Sequence, residues 1–183
     1  FASVKQTTIS ELTVDRYIGY MEDAFMINRV KRYDVKGRKY IGTPYKIYFE
    51  DIGLRNARLN FRQIEETHIM ENIIYNELRF RGYKVDVGVV ESREKDETGK
   101  EIRKQLEIDF TAALGSKKYY IQSAYAIPDE EKYKQETRPL DKVNDSFKKI
   151  ILVEKSMKPR IDDSGYVCMG VKEFLLDTEI QEA

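Results

Sequence analysis

Apolar residues recur along the chain with two periods, and the alternation between them predicts the elements. Val14, Ile18, Met21, Ala24 and Phe25 fall at helical spacing behind Thr13 as N-cap and Asp15 in the first turn, which predicts a helix over 13–26 after a short helical turn near 9–12. Residues 27–33 and 39–41 then read as two strands joined through Lys36-Gly37. Pro44 interrupts that pattern, 46–50 reads as another strand, and Asp51-Ile52-Gly53 punctuates a boundary. Helices followed by a basic hairpin suggest a winged-helix-like segment over 1–60.

The second half, 61–183, has the more regular pattern. Met70, Ile73, Ile74 and Leu78 share one face of a helix over 67–81, with Gly82 placed as a left-handed cap. Glu71 lies at the edge of that apolar arc; Glu77 lies nearer its middle and requires a partner such as an arginine, a backbone amide or a metal. Strands follow at 84–90, 104–112 and 118–125, the first two separated by a charged loop over 94–101. A second helix starts at Pro128 and runs to about Lys142, with Pro139 kinking it or ending it early. A strand at 147–154, a turn at 162–165, a short strand at 167–169 and a terminal helix over 171–176 complete the order. The expected fold is α/β, an αβββαβ core with an N-terminal extension.

Composition narrows the class. The 183 residues are 41% hydrophobic and 35% charged, which places the chain among folded globular proteins. No stretch approaches the ~18 consecutive apolar residues of a bilayer span, and the N-terminus lacks a signal-peptide succession. The expected location is the cytoplasm, with no membrane partner. One cysteine, Cys168, and one histidine, His68, build neither a disulfide nor a zinc site and read as packing or surface residues. The chain begins at Phe1, which suggests a piece of a longer protein or a processed product.

The 32 basic residues balance the 32 acidic ones, so total charge says nothing about partners. Distribution says more. Arg29, Lys31, Arg32, Lys36, Arg38, Lys39 and Lys46 are interleaved with Tyr33, Tyr40 and Tyr45 and a lone acid, Asp34. The first six are the candidate nucleic-acid contacts. Polar residues also interrupt two strands. Period-two alternation puts Glu107 and Asp109 on one face and Leu106, Ile108 and Phe110 on the other, and it sets Gln122 between Tyr120 and Ala124. If these strands are neighbours, Asp109 and Gln122 converge, and an acid from the preceding helix completes an oxygen-rich site suited to Mg²⁺.

The segments 71–78, 81–85, 107–110 and 120–125, with 13–17, 48–55 and 136–140, resemble domain-of-unknown-function family 4143 over nearly the whole chain. That domain follows the ATPase module of many prokaryotic AAA-type ATP-binding proteins. The resemblance implies a winged-helix-like first part and a second part related to the PD-(D/E)XK, or restriction-endonuclease-like, fold. It places Glu71 at the helix acid and Asp109 at the strand aspartate, the two metal ligands, and Gln122 where the (D/E)XK acid stands. The lysine position falls on Ala124, which can neither activate water nor stabilise charge on a phosphate. Lys104, Lys118 and Lys134 are the candidates for a lysine moved to another element.

The implied function is a degenerate nuclease-like recognition or coupling module, not itself catalytic, associated with nucleic acid and with the upstream ATPase module of the same protein. ATP would bind only through that upstream segment, since no phosphate loop occurs here. One alternative is an active Mg²⁺-dependent DNase with a moved lysine. Another is a protein-interaction module that docks the ATPase segment.

Overall fold

The computed structural model describes residues 9–62, 64–95 and 99–177. Helix α1 (Glu11–Asp23) begins before Thr13 because Ser10 caps it, its Oγ accepting from the Thr13 amide at 3.1 Å. A cap of this kind is worth about 1 kcal/mol. β1 (Ile27–Asp34) and β2 (Lys39–Phe49) then form an antiparallel hairpin. Pro44 does not end a strand. β2 runs through it by bulging between Ile41, opposite Arg32, and Lys46, opposite Val30, so no ladder hydrogen bond is asked of the proline. Where the sequence marks only a boundary, Asp51 caps a short helix, α2 (Ile52–Arg58), by accepting from the Leu54 amide at 2.8 Å.

Helix α3 (Glu66–Phe80) ends as its sequence predicts. Gly82 takes φ +83°, the Gly82 amide donates to Arg79 O at 2.9 Å and the Tyr83 amide to Leu78 O at 3.0 Å. Met70, Ile74, Tyr75 and Leu78 form its inner face; Ile73 is only half-buried, and Asn72 is buried in its stead. The partner that Glu77 requires is Arg81, one turn on, at 2.7 Å. Arg81 also donates to Phe174 O at 2.5 Å and stacks 4.6 Å from that ring's centre.

After α3 come β3 (Lys84–Lys95), β4 (Glu101–Leu114), β5 (Lys117–Ala124), α4 (Glu130–Asp141), β6 (Lys148–Val153), β7 (Arg160–Ile161), β8 (Val167–Gly170) and α5 (Val171–Leu176). β3 and β4 reach further than predicted, taking in Glu94, Lys95 and Glu101 of the charged stretch expected as a loop; Gly99 and Lys100 lie between the strands, and 96–98 fall outside the described residues. α4 continues through Pro139 to Asp141, and β7 carries no apolar alternation that would have marked it.

The strands form one eight-stranded mixed sheet in the order β2-β1-β3-β4-β5-β6-β8-β7. The hairpin does not stand apart, because β1 runs parallel to β3 with Arg32 opposite Val87 and Tyr33 opposite Gly88. Alternation sends side chains to two cores. Tyr119, Ile121, Ile150 and Leu152 pack with α3 and with Phe174 of α5, whereas Tyr120, Ala124 and Ile151 pack with Leu140 of α4 and with Val143. Helices therefore cover both faces, giving a three-layer α/β protein, and each fully buried large side chain contributes about 1.5–3 kcal/mol.

One irregularity matters for function. Asp86 lies opposite Thr111 and Gly88 opposite Ile108, so Val87 faces both Asp109 and Phe110 across a bulge in β4. Leu106 and Ile108 join the α4 core, but Phe110 joins the α3 core. The strict alternation expected of 106–110 breaks at Asp109.

Candidate functional site

The bulge turns Asp109 to the α3 face, where it meets side chains from three other elements. Lys46 of β2 lies at the centre. Its Nζ is 2.7 Å from Glu71 Oε1 on α3, 2.7 Å from Glu107 Oε1 and 3.5 Å from Asp109 Oδ1 on β4. Tyr48 donates to Glu71 Oε1 at 2.5 Å, the Ser123 amide on β5 donates to Asp109 Oδ2 at 2.8 Å, and Arg32 Nη2 donates to Glu107 Oε2 at 2.6 Å.

Local structure aims these groups. The bulge in β2 sets Lys46 directly opposite Val30, and the strand's far end is clamped to α3 by Asn72. The Phe49 amide donates to Asn72 Oδ1 at 2.9 Å, while Asn72 Nδ2 donates to Phe49 O at 2.8 Å. A buried side-chain amide thus acts as a further strand partner, which holds Glu71, the preceding residue, over Lys46. Tyr48 stacks on Tyr75 with centroids 4.4 Å apart. A cleft of ≈ 340 Å³ opens beside the cluster, lined by Lys46, Tyr48, Arg55, His68, Glu71 and Asn72.

The side chains of Asp109, Glu71, Lys46 and Glu107 are 13, 16, 25 and 30% exposed, so their charges interact in a partly dry environment. Burial, and after it the neighbouring Glu71, pushes Asp109 up to about 7, against the opposing pull of Lys46 and the Ser123 amide. Burial alone would lower Lys46, but Asp109, Glu71 and Glu107 outweigh it and hold the ammonium charged well above its ordinary range. Burial and Glu71 likewise keep the Tyr48 phenol protonated.

Glu71 and Asp109 are thus brought together, and Gln122 is not. Gln122 lies on the opposite face, its Nε2 3.3 Å from Glu136 Oε2 on α4 and its Oε1 buried without a partner. Ala124 is 2% exposed in the same α4 core. The expected convergence of Asp109 and Gln122 is therefore corrected. Phe110 pairs with Ile121, and both face α3; without the bulge Asp109 would have pointed with Gln122, and the bulge sends it the other way. A bulge leaves no mark in the hydrophobic pattern of one strand.

Of the lysines proposed as relocated, Lys134 pairs with Glu130 at 2.6 Å, Lys118 lies over Tyr33 and Tyr120, and Lys104 is exposed opposite Ser92. The lysine that meets Glu71 and Asp109 is Lys46. Sequence reasoning placed it in the basic hairpin; its spacing of two from Tyr48, which is buried on the same strand, was the available signal.

The hairpin cations divide as well. Arg29 is held by Asp15 and by Glu22, the latter at 2.5 Å, and Arg32 by Glu107, so these two are engaged within the fold. Lys31, Lys36, Arg38 and Lys39 are exposed. His68 is a surface residue bound to Glu65 at 2.8 Å. Cys168 is buried, its thiol pushed up to about 12 by burial and by Asp162, which accepts from Sγ at 3.3 Å.

Among the described residues no group of three His, Cys, Asp or Glu side chains is disposed to hold a metal ion. The carboxylates that come closest to such a set already surround an ammonium. A divalent ion asks for six or more oxygen ligands and cannot share that centre with Nζ, so the arrangement as it stands does not fit Mg²⁺.

Fold and site together define a mixed α/β protein with a carboxylate and lysine centre at the seam between its hairpin and its core. Residues 1–65 match the model of a family described as "Domain of unknown function (DUF8612)", whose end falls between α2 and α3. The chain is also similar to an uncharacterized protein of Haemophilus influenzae, 33% identical over 167 residues, covering 91% of this chain and 38% of that protein. The chain thus spans well under half the length of that relative. No solved structure matches. Among the described residues no helix is long and apolar enough to cross a membrane.

Proposed function

We propose that the chain is a degenerate nuclease-like recognition or coupling module, the C-terminal part of a prokaryotic AAA-type ATP-binding protein, associated with nucleic acid. The observation that carries this reading is Lys46. A PD-(D/E)XK nuclease gathers acids from a helix and two strands around a metal; here the helix acid Glu71 and the strand acids Glu107 and Asp109 gather around an ammonium. The element order from α3 to β6 and the helices on both faces of the sheet support the fold relationship. β5 brings neither an acid nor a lysine to the Lys46 centre, because Gln122 and Ala124, at the motif positions, face α4. The centre is then a built-in ion cluster that locks the hairpin to the core. ATP hydrolysis would belong to the upstream ATPase module, with which this domain would couple.

A second reading is favoured by the same lysine: an active Mg²⁺-dependent DNase in which Lys46 takes the place of the lysine missing at Ala124. Glu71 and Asp109 would then hold the metal, and Lys46, released from them, would stabilise charge on the scissile phosphate. Titrating Mg²⁺ and Mn²⁺ into wild type, Asp109→Ala and Lys46→Met, with calorimetry and a plasmid-nicking assay, separates the two. The degenerate reading expects no saturable binding by wild type at millimolar metal, and binding that emerges in Lys46→Met once the carboxylates lose their ammonium. Saturable binding by wild type that Asp109→Ala abolishes, with nicking lost in Lys46→Met, would establish the DNase instead.

A further inference from the structure

The face of the sheet opposite Lys46 carries a second concentration of cations, and there they rest on aromatic rings. Tyr120 faces the α4 core, and Thr111 and Asp86 follow it across β4 and β3 in one row. The Tyr40 ring reaches back over that row from β2, its hydroxyl donating to Asp86 Oδ2 at 3.1 Å. Lys31 Nζ and Lys84 Nζ lie 5.9 and 5.3 Å from its centre, and Tyr33 meets it edge-on at 5.4 Å. The series continues through Lys118, whose Nζ is 5.6 Å from the Tyr33 centre, 4.8 Å from Tyr120 and 5.4 Å from Phe147. Burial lowers the affinity of that amine for its proton.

This surface is open. Tyr40 is 46% and Phe147 40% exposed, and a cleft of ≈ 350 Å³ between β1 and β3 opens beside Lys31, Tyr40, Arg79 and Lys84. Among the described residues Lys31, Lys84 and Lys118 form no ion pair, and the carboxylates whose charge reaches them are Asp86, for Lys31 and Lys84, and Asp145, for Lys118. Cations held over rings by quadrupole attraction keep their charge for a ligand, while exposed rings offer stacking faces. A duplex buries its base faces and presents only phosphates and groove edges; a single strand presents both phosphates and faces.

Resting on the reading that the protein associates with nucleic acid, we propose that this basic, aromatic surface binds single-stranded nucleic acid. Bases stack on Tyr40 and Phe147, and phosphates lie against Lys31, Lys84 and Lys118. The contact is insensitive to sequence, because every base has a face to stack.

The test is fluorescence anisotropy of the full chain with labelled oligo-dT, oligo-rU and a duplex of equal length, each over a salt series. The expected result is tighter binding of the single strands than of the duplex. Tyr40→Leu weakens single-strand binding by about tenfold with the salt slope unchanged. Tyr40→Phe, which keeps the ring and loses only the bond to Asp86, binds as wild type and shows that lost stacking is responsible. The double variant Lys31→Ala/Lys84→Ala lowers the slope of log affinity against log salt by about 1.4. Equal or tighter duplex binding, or a Tyr40→Leu variant that binds oligo-dT as wild type does, overturns the proposal. If binding is lost instead on Lys36→Ala/Lys39→Ala, nucleic-acid association stands and this surface falls. If no oligonucleotide binds, both fall together. The dT and rU arms tell DNA from RNA through contacts to the 2′-hydroxyl.

Discussion

The two faces of the sheet use the same residue types to opposite ends, and adjacent residues of β1 show how. Arg32 points to the α3 face and closes on Glu107 at 2.6 Å, joining Lys46 in a cluster whose carboxylates are all engaged. Lys31 points to the other face and lies over Tyr40, and among the described residues it forms no ion pair. On the first face, charge is consumed holding the hairpin to the core; on the second, it remains available. A basic stretch in sequence is therefore two surfaces, separated by the period of the strand.

The largest effect expected from breaking this asymmetry is that of Lys46→Met. Removing one partner from a buried ion cluster leaves the others uncompensated, and with Lys46 still a quarter exposed the loss should be about 3 kcal/mol at pH 8. Without the ammonium, whose charge opposes the rise in wild type, the Asp109 carboxyl gains affinity for protons in the folded state. Stability of the variant then falls as pH rises through its range, so the deficit should shrink toward pH 5. Urea denaturation at both pH values measures it. Lys31→Met, one strand away on the other face, should stay within about 0.5 kcal/mol of wild type at either pH. Equal losses from the two substitutions would mean that the faces do not differ as described.

Much of the fold was legible because burial and periodicity agree. α3 shows its apolar arc and Gly82 cap, and the hydrophobic cores of β5 and β6 read directly from their runs. What could not be read were local departures from period. The bulges in β2 and β4 each change which face a side chain takes, and neither alters composition. For the site, Glu71 and Asp109 were legible from residue type on the right elements. Lys46 was not, since its position depends on β1 joining β3 in parallel, a pairing that only the folded sheet reveals. Helix α2 was hidden because none of its residues is buried.

Asp109→Asn should shift stability by less and in the opposite direction. The wild-type carboxyl titrates near 3.8 when unfolded and is raised to about 7 by burial and Glu71. Between those values the folded chain holds a proton that the unfolded chain has released, so wild type loses stability as pH rises through this window. Asparagine keeps an acceptor for the Ser123 amide and removes the charge, while Lys46 retains Glu71 and Glu107 at 2.7 Å. The variant should be more stable than wild type by about 1 kcal/mol at pH 8 and equal to it near pH 4, as when active-site-like strain is relieved. Thermal melts across pH 4–8 give the comparison. A variant less stable than wild type at pH 8 would show that the Lys46 attraction exceeds the cost of burying Asp109.

The smallest effect sharpens the assignment of faces. Gln122→Glu restores the acid that a nuclease motif carries on β5, yet the side chain would stand beside Glu136 on the α4 face, 3.3 Å from its carboxylate in the present geometry. Two carboxylates there repel, and Lys132, 2.6 Å from Glu136 but partly exposed, screens them only in part. The expected cost is about 0.5 kcal/mol at pH 8. Because the new charge is separated from Asp109 by the sheet itself, metal affinity should stay where wild type has it. A gain in Mg²⁺ or Mn²⁺ binding would place residue 122 on the Lys46 side, and with it a β5 register in which the bulge at Asp109 no longer separates the two acids.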